Sequence, residues 1–308
     1  GALVEKASMS EADAKTGLDL LFTYTEKEHP FNSSEVSVLI ATIDTCKILD
    51  PACGSGAFPM GGLQKLVYIL SKLDPENRLW KQAQLDKLDS APMRESLERD
   101  FADNDDDYGR KLYLIENCLY GVDIQSIAIQ VSKLRFFISL IVDQNVNRDR
   151  ENFGVRPLPN LETKFVTADT LISSEGPSVQ IELYESENLV RLKENLKKVR
   201  RALFSAKTPR TKSKYREEDR KLREDISAEL KSNGWPDSDA DALATWDPYD
   251  QNASASYFDP EWMFGETGFD IVIGNPPYIQ IQKFPKAQKD IWIKQGYQTY
   301  SATADIYC

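Results

Sequence analysis

Four short apolar runs in this chain each end in an acid or an amide: residues 46–50 at Asp50, 118–123 at Asp123, 164–169 at Asp169 and 269–275 at Asn275. Runs of this length read as strands. The segments between them carry apolar residues at helical spacing, such as Leu63, Leu66, Ile69 and Leu70 between Gly61 and Lys72. Strands alternating with helices predict an α/β fold on a doubly wound, mainly parallel sheet. Ligands of such sheets sit at the carboxyl ends of the strands, near the switch point. Asp50, Asp123, Asp169 and Asn275 all fall there, and the four placements are independent of one another.

The rest of the chain divides around this pattern. Residues 1–46 read as a helical segment, capped at Ser10 and with a second helix from Ser33 to Asp44, and residues 47–308 as the sheet domain. Within the latter, 74–110 is charged, with an acidic patch from Asp103 to Asp107, and reads as an irregular, solvated insertion. Gln125 to Val142 is a strongly apolar helix expected to lie flat on the sheet, and Ile271 to Ile273 a buried strand. A second insertion, 180–257, carries two charged helices between Glu182 and Ser232, joined near Thr208 and expected to protrude as a helical hairpin.

A chain of 308 residues, 41% of them hydrophobic, can bury a sizeable core. It has neither the roughly 18 consecutive apolar residues of a membrane span nor the N-terminal pattern of a signal peptide. Cys46, Cys53, Cys118 and Cys308 lack C-x-x-C spacing, and His29 is the single histidine. These features argue against zinc or disulfide frameworks, predict no metal ligand set, and point to a reducing cytoplasm. The net charge of −11 argues against binding nucleic acid by overall charge. A local basic stretch nevertheless runs from Lys197 to Arg216, with Lys198, Arg200, Arg201, Lys207, Arg210, Lys212 and Lys214 and no acid among them.

Two motifs carry the chemistry. In the first, Asp50 is followed by Pro51, Ala52, Cys53, Gly54, Ser55, Gly56, Ala57 and Phe58. Glycines after a strand let the backbone approach a ligand closely, and the next helix offers free N–H groups. Pro59 stands where a pyrophosphate loop has its third glycine, and Asp50 would repel phosphate. An acid beside such a loop better suits a positive ligand, such as the sulfonium and amino group of S-adenosylmethionine; an ordinary strand–helix turn is the other reading. Asp123 stands where an acid binds ribose hydroxyls, or is a solvated strand-end acid, with Ile124 available to an adenine face. Asp169 can accept from an adenine amino group or cap a helix.

In the second motif, Asn275 is followed by Pro276, Pro277 and Tyr278. The prolines lack N–H donors and cannot continue a ladder, but they fix the last carbonyls and the Asn275 amide in a rigid array beside the Tyr278 ring. That array suits a planar amine held by acceptors in its plane and stacked on a ring, as in a nucleobase with an exocyclic NH2. The alternative is a proline-rich turn that stops an edge strand.

Together, the loop from Asp50 to Phe58 and the array from Asn275 to Tyr278 resemble the cofactor-binding and catalytic motifs of amino-DNA methyltransferases that modify adenine N6. The flanks, at 48–59, 119–125, 133–140 and 268–279, resemble the large restriction–modification methylases: single-chain type IIG enzymes and the related methylases of phage-exclusion (BREX) systems. The similarity covers most of 20–308, least clearly the basic hairpin. By this resemblance the sheet is the Rossmann-like one of S-adenosylmethionine-dependent methyltransferases. Residues Asp50 to Ala57 would wrap the methionine part of the cofactor, Asp123 hold the ribose and Asp169 the adenine amino group. Asn275 and the Pro276 carbonyl would accept the two N–H bonds of the target amine, and Tyr278 would stack on a base flipped out of double-stranded DNA. The implied setting is a bacterial cytoplasm.

The family pattern continues with further sheet strands and a target-recognition domain, whereas this chain stops at Cys308 in what reads as the start of a helix. Residues 1–46 lack the Phe/Tyr-Thr-Pro element of the family, and no nuclease motif occurs. The expectation is a fragment with an incomplete sheet that alone binds the cofactor weakly, methylates little, and contacts DNA mainly through regions outside it. If the hairpin at 197–216 contributes, charge reversal at Arg200 and Arg201 should weaken DNA binding. The Asn-Pro-Pro-Tyr array also occurs in methyltransferases of a release-factor glutamine and of RNA amines, and a DNA-binding or scaffold subunit without turnover is the non-enzymatic alternative.

Overall fold

The structure, a computed structural model, describes residues 1–308 apart from 87–93, 95–97, 99–105, 147, 150–152, 154, 156–158, 174–185, 205, 207, 298 and 302–308. The acidic run from Asp103 to Asp105, Lys207 and the stretch expected to begin a helix before Cys308 therefore lie outside the described residues. The chain forms two compact units, Gly1–Ile48 with Pro59–Leu119 and Phe136–Arg156, and Leu49–Phe58 with Tyr120–Arg135 and Pro157–Cys308.

The first unit is helical. Helix α1 spans Ala2–Ala7 and α2 spans Glu11–Phe22, the latter capped as expected by Ser10, which accepts from the Asp13 N–H at 3.1 Å. Helix α3 (Ser33–Thr45) opens on a reciprocal capping box between Asn32 and Glu35. Most of α4 (Ala57–Leu73) belongs here too. The described residues of 74–110 depart from the expected irregular, solvated segment, since they hold α5 (Arg78–Asp86) and the start of α6 (Asp106–Asn117). Its charges work as local partners. Asp74 accepts from the N–H groups of Arg78 and Trp80 at 3.0 and 2.8 Å, and buried Arg110 bonds the Asp74 carbonyl and Asn77 Oδ1 at 2.7 and 3.1 Å. With those groups satisfied, the Trp80 ring is buried.

The second unit carries the sheet. Strands β1 (Ile48–Asp50), β2 (Leu119–Asp123), β3 (Phe165–Thr167) and β4 (Ile271–Val272) form a four-stranded parallel sheet among the described residues, in the order β3-β2-β1-β4. Register is set by Gly121 opposite Phe165 and Val122 opposite Val166. An added Cβ on Gly121 would meet the Phe165 ring at 2.6 Å, so only glycine lets these strands close. After β2 comes α7 (Ser126–Ile141), then α8 (Glu187–Phe204), α9 (Pro209–Ser232), α10 (Asp237–Thr245), α11 (Pro260–Phe264) and α12 (Lys286–Lys294).

Helices α8 and α9 do not protrude. Leu189 and Leu196 of α8 and Ile226 and Leu230 of α9 join Leu49, Tyr120, Val122 and Val166 of the sheet in one core, closed by Trp246, Trp262, Met263 and Phe264. The two helices are also joined through Asp219, which is fully buried and accepts from Arg200 Nε and Arg223 Nε at 2.8 Å each and from the Tyr249 hydroxyl at 2.9 Å. Burial alone would raise the Asp219 pKa, but the two guanidinium groups outweigh it and hold the carboxyl below the usual range. Strand β4 also departs from expectation. As the edge strand, it leaves Ile271, Val272 and the following Ile273 exposed rather than buried.

Candidate active site at the carboxyl ends of the strands

Strand β1 delivers Asp50 into the interior, where it is 1% exposed. Its Oδ1 accepts from the Ala52 N–H at 3.1 Å, while Oδ2 is buried without a hydrogen-bond partner among the described residues. Burial pushes the Asp50 pKa up to about 6; the Ala52 bond works the other way, and nearby Asp123 adds to the rise. The residues after Asp50 turn back sharply, with Gly54 at φ 52° and Gly56 at φ 82°, a backbone that favours glycine at both places. An added Cβ on Gly56 would also collide with Ser132 Oγ of α7. Ser55 is half-buried, and Ala57 opens α4.

The loop is tied to the end of β2. The Cys53 N–H donates to the Val122 carbonyl at 2.8 Å, and the Gly54 N–H donates to Asp123 Oδ2 at 2.9 Å. Asp123 Oδ1 accepts from the Gln125 N–H at 2.8 Å, so this acid holds both the glycine turn and its own strand exit. Ile124, next along, is exposed. Cys53 is buried, and burial, reinforced by Asp50 and Asp123, pushes its thiol pKa upward.

Strand β3 leads to Asp169, whose pKa is raised by burial and whose Oδ1 caps the following turn through the Leu171 N–H at 3.0 Å. The next residue, Thr170, donates its hydroxyl to the Pro51 carbonyl at 3.1 Å, which fastens the β3 exit to the β1 loop. Beyond β4, Gly274 lies against Asp50: an added Cβ would be 2.5 Å from Oδ1 and 3.4 Å from Pro51 Cδ. Asn275 follows directly. Its Oδ1 accepts from the Tyr278 hydroxyl at 3.1 Å, and the Tyr278 ring is 71% exposed. Pro276 is half-buried, and the Pro277 carbonyl accepts from the Ile279 N–H at 3.0 Å.

The candidate residues thus gather at one edge of one unit: the β1 loop contacts Asp123, the residue after Asp169, and the glycine before Asn275. Three contributors were missing from the sequence reading. Gly274 was legible as a glycine between a strand and an amide. Ser132 and Thr170 had no local signal, because each matters through a partner distant in sequence. One expectation is corrected. Arg200 is no surface cation, since it is buried on Asp219 and also donates to the Trp262 and Met263 carbonyls at 2.5 and 3.1 Å. Arg201 and Arg210 are exposed and make no ion pair among the described residues. No helix among the described residues is long and apolar enough to cross a membrane.

Residues 117–308 match the family described as Eco57I restriction-modification methylase. A stretch of 141 residues is 30% identical to a protein of Methanocaldococcus jannaschii named as a candidate type II restriction enzyme and methyltransferase, covering 46% of this chain and 10% of that protein. The chain therefore spans about a tenth of the length of the curated relative it matches. The family match takes in β2, β3, β4 and the array after β4, the part of the chain on which the site's second half is built. This chain belongs to the Eco57I restriction-modification methylase family.

Proposed function

We propose that this chain forms the methyl-transfer centre of an adenine-N6 DNA methyltransferase serving restriction–modification or phage defence. On this reading residues 47–308 are the catalytic domain, a doubly wound methyltransferase sheet with α8 and α9 as an inserted hairpin. The observation that carries it is the approach of Gly274 to Asp50. It sets a clamp for a planar amine one residue away from a loop suited to a cationic ligand.

S-adenosylmethionine fits that loop. Asp50 presents a buried carboxylate oxygen without a partner among the described residues, and Gly54, with open space where a Cβ would stand, leaves the backbone bare for close approach. The cofactor supplies an electrophilic methyl group on a sulfonium centre. Residues Asp50 to Ala57 hold its methionine part, with the Asp50 carboxylate facing the amino group. Asp123 and Ile124 take the ribose hydroxyls and the adenine face, and Asp169 takes the adenine amino group.

An adenine amine is a weak nucleophile because its lone pair is delocalised into the ring. Asn275 Oδ1 and the Pro276 carbonyl draw its two N–H bonds away from the methyl donor, which turns the lone pair towards it. Pro276 and Pro277 keep those acceptors rigid, and Tyr278 stacks on the extruded base. The work is positioning and charge stabilisation rather than covalent catalysis, and the buried Cys53 thiol has no part in it. Double-stranded DNA is the partner, and among the described residues Lys198, Arg201 and Arg210 are exposed cations of the hairpin open to its phosphates.

Transfer of labelled methyl groups to duplex DNA, RNA and a release factor, measured side by side for the protein as its gene encodes it, tests the reading. Label on DNA that disappears with Asn275→Ala is expected. Label confined to RNA or release factor, or undiminished transfer by the variant, contradicts it.

A further inference from the structure

Leu171, whose N–H orients the Asp169 carboxylate, is itself held from a distant part of the chain. That N–H donates to Asp169 Oδ1 at 3.0 Å, and the Leu171 carbonyl accepts from the Tyr297 hydroxyl at 2.9 Å. Two residues on, Ser173 donates its N–H, at 3.2 Å, and its hydroxyl to Gln295 Oε1. Between them, the Ile172 carbonyl accepts from the Phe258 N–H at 2.7 Å. The exit of β3 is therefore fastened both to the segment at 258 and to the segment at 295–297. All of these residues belong to the second unit.

Local sequence places Gln295 and Tyr297 for this contact. Helix α12 is seated by Trp292, which is buried with its ring edge-on to Phe284 at a centroid distance of 4.9 Å. Gly296 follows the last turn at φ 70°, and its N–H donates to the Ile293 carbonyl at 3.1 Å. A left-handed glycine there ends the helix and turns the next residue off its axis. Burial raises the Tyr297 pKa and Asp169 adds to the rise, so the phenol stands within electrostatic reach of that carboxylate.

Topology gives the contact its weight. The chain from Asn275 to Tyr297 leaves the end of β4 and returns to the exit of β3, and these are the outer strands of the order β3-β2-β1-β4. Three strand spacings, about 14 Å, separate them. The ends of β1 and β2, with Asp50 and Asp123, lie between. One segment thus carries the amine clamp at its start and a hold on the Asp169 turn at its end.

We propose that Tyr297 is a positioning residue for the adenine end of the cofactor: by holding Leu171 it fixes the direction of the Asp169 carboxylate, and with it the preference for an adenine amino group. Tyr297 acts through Leu171 and Asp169 rather than on the reacting atoms. The proposal rests on the methyl-transfer reading.

Calorimetric titration of the protein as its gene encodes it tests this, with two ligands: S-adenosylhomocysteine, and S-inosylhomocysteine, which has a carbonyl in place of the amino group. Wild type should bind the adenine form more tightly. Tyr297→Phe keeps the ring and loses the donor, so it should bind the adenine form about two- to tenfold more weakly and the inosine form no more weakly than wild type does. In an Asp169→Ala background the same substitution should have no further effect. Equal weakening of both ligands by Tyr297→Phe, no weakening of either, or losses that add to those of Asp169→Ala would overturn the proposal. A wild type that binds neither ligand overturns the methyl-transfer reading and this proposal with it. A wild type that methylates DNA, and whose preference for the adenine form is lost in Asp169→Ala but kept in Tyr297→Phe, overturns this proposal alone.

Discussion

The Tyr278 hydroxyl donates to Asn275 Oδ1 at 3.1 Å, so the ring proposed to stack on the target base also orients the amide proposed to hold its amine. The two functions separate by substitution. Tyr278→Phe keeps the ring and loses one exposed hydrogen bond, worth about 0.5–1.5 kcal/mol, so kcat/KM should fall about two- to tenfold. Tyr278→Ala also loses base stacking, worth about 1–3 kcal/mol, and should raise the KM for DNA by roughly five- to 150-fold. Calorimetric affinity for S-adenosylmethionine should not change in either variant. Equal losses in both would remove the stacking role.

Gly274→Ala should damage the cofactor loop from the far side of the site. The new methyl group would sit 2.5 Å from Asp50 Oδ1, which is itself held by the Ala52 N–H, so the backbone must shift. A loss of about 1–3 kcal/mol in urea unfolding is expected, together with weaker cofactor binding. Unchanged binding would show that the approach of β4 to the loop is incidental.

Asp50 makes the protein's pH response testable. Its folded pKa of about 6 lies above the ordinary carboxylate value of 3.8, so between these pH values the folded state binds more protons than the unfolded one. Stability of the ligand-free protein from this group therefore falls as pH rises through that window and stays lost above it. Asp50→Asn should melt higher than wild type above pH 6, with the difference vanishing below about pH 4. Cofactor affinity should run the other way, falling in wild type below about pH 6 and being weak and pH-independent in the variant. A variant that binds the cofactor as wild type does would remove Asp50 from that role.

Adjacent arginines should behave oppositely. Arg200→Ala leaves the buried Asp219 carboxylate with one guanidinium, that of Arg223, in place of two, and should cost about 3 kcal/mol in urea unfolding. Arg201→Glu, on the exposed side of the same turn, should change stability by no more than about 0.5 kcal/mol. Similar effects at both positions would contradict the assigned core role of Arg200.

The strand ends were legible in the sequence because each is a local event, an apolar run that stops at Asp50, Asp123, Asp169 or Asn275. The Ser10 cap was legible for the same reason. What failed depended on tertiary partners. Arg200 read as part of a basic surface, although it falls in line with buried Leu189, Leu196 and Leu203, the apolar stripe of its own helix. Trp80 and Arg110 were lost in a charged stretch whose acids and amides satisfy one another. Apolar content placed Ile271 to Ile273 inside, but an edge strand is buried only if something covers it. For the same reason the composition of α7 did not separate its buried side, with Ile129, Phe136 and Leu140, from the side that meets water.

The central claim is a methyl group placed on adenine N6 by Asn275 and its neighbours. Its most direct test is mass spectrometry of nucleosides from duplex DNA incubated with S-adenosylmethionine and the protein as its gene encodes it. N6-methyladenine that appears with wild type and is absent with Asn275→Ala is the predicted result. Methylcytosine in its place, or N6-methyladenine formed equally by the variant, would contradict the account.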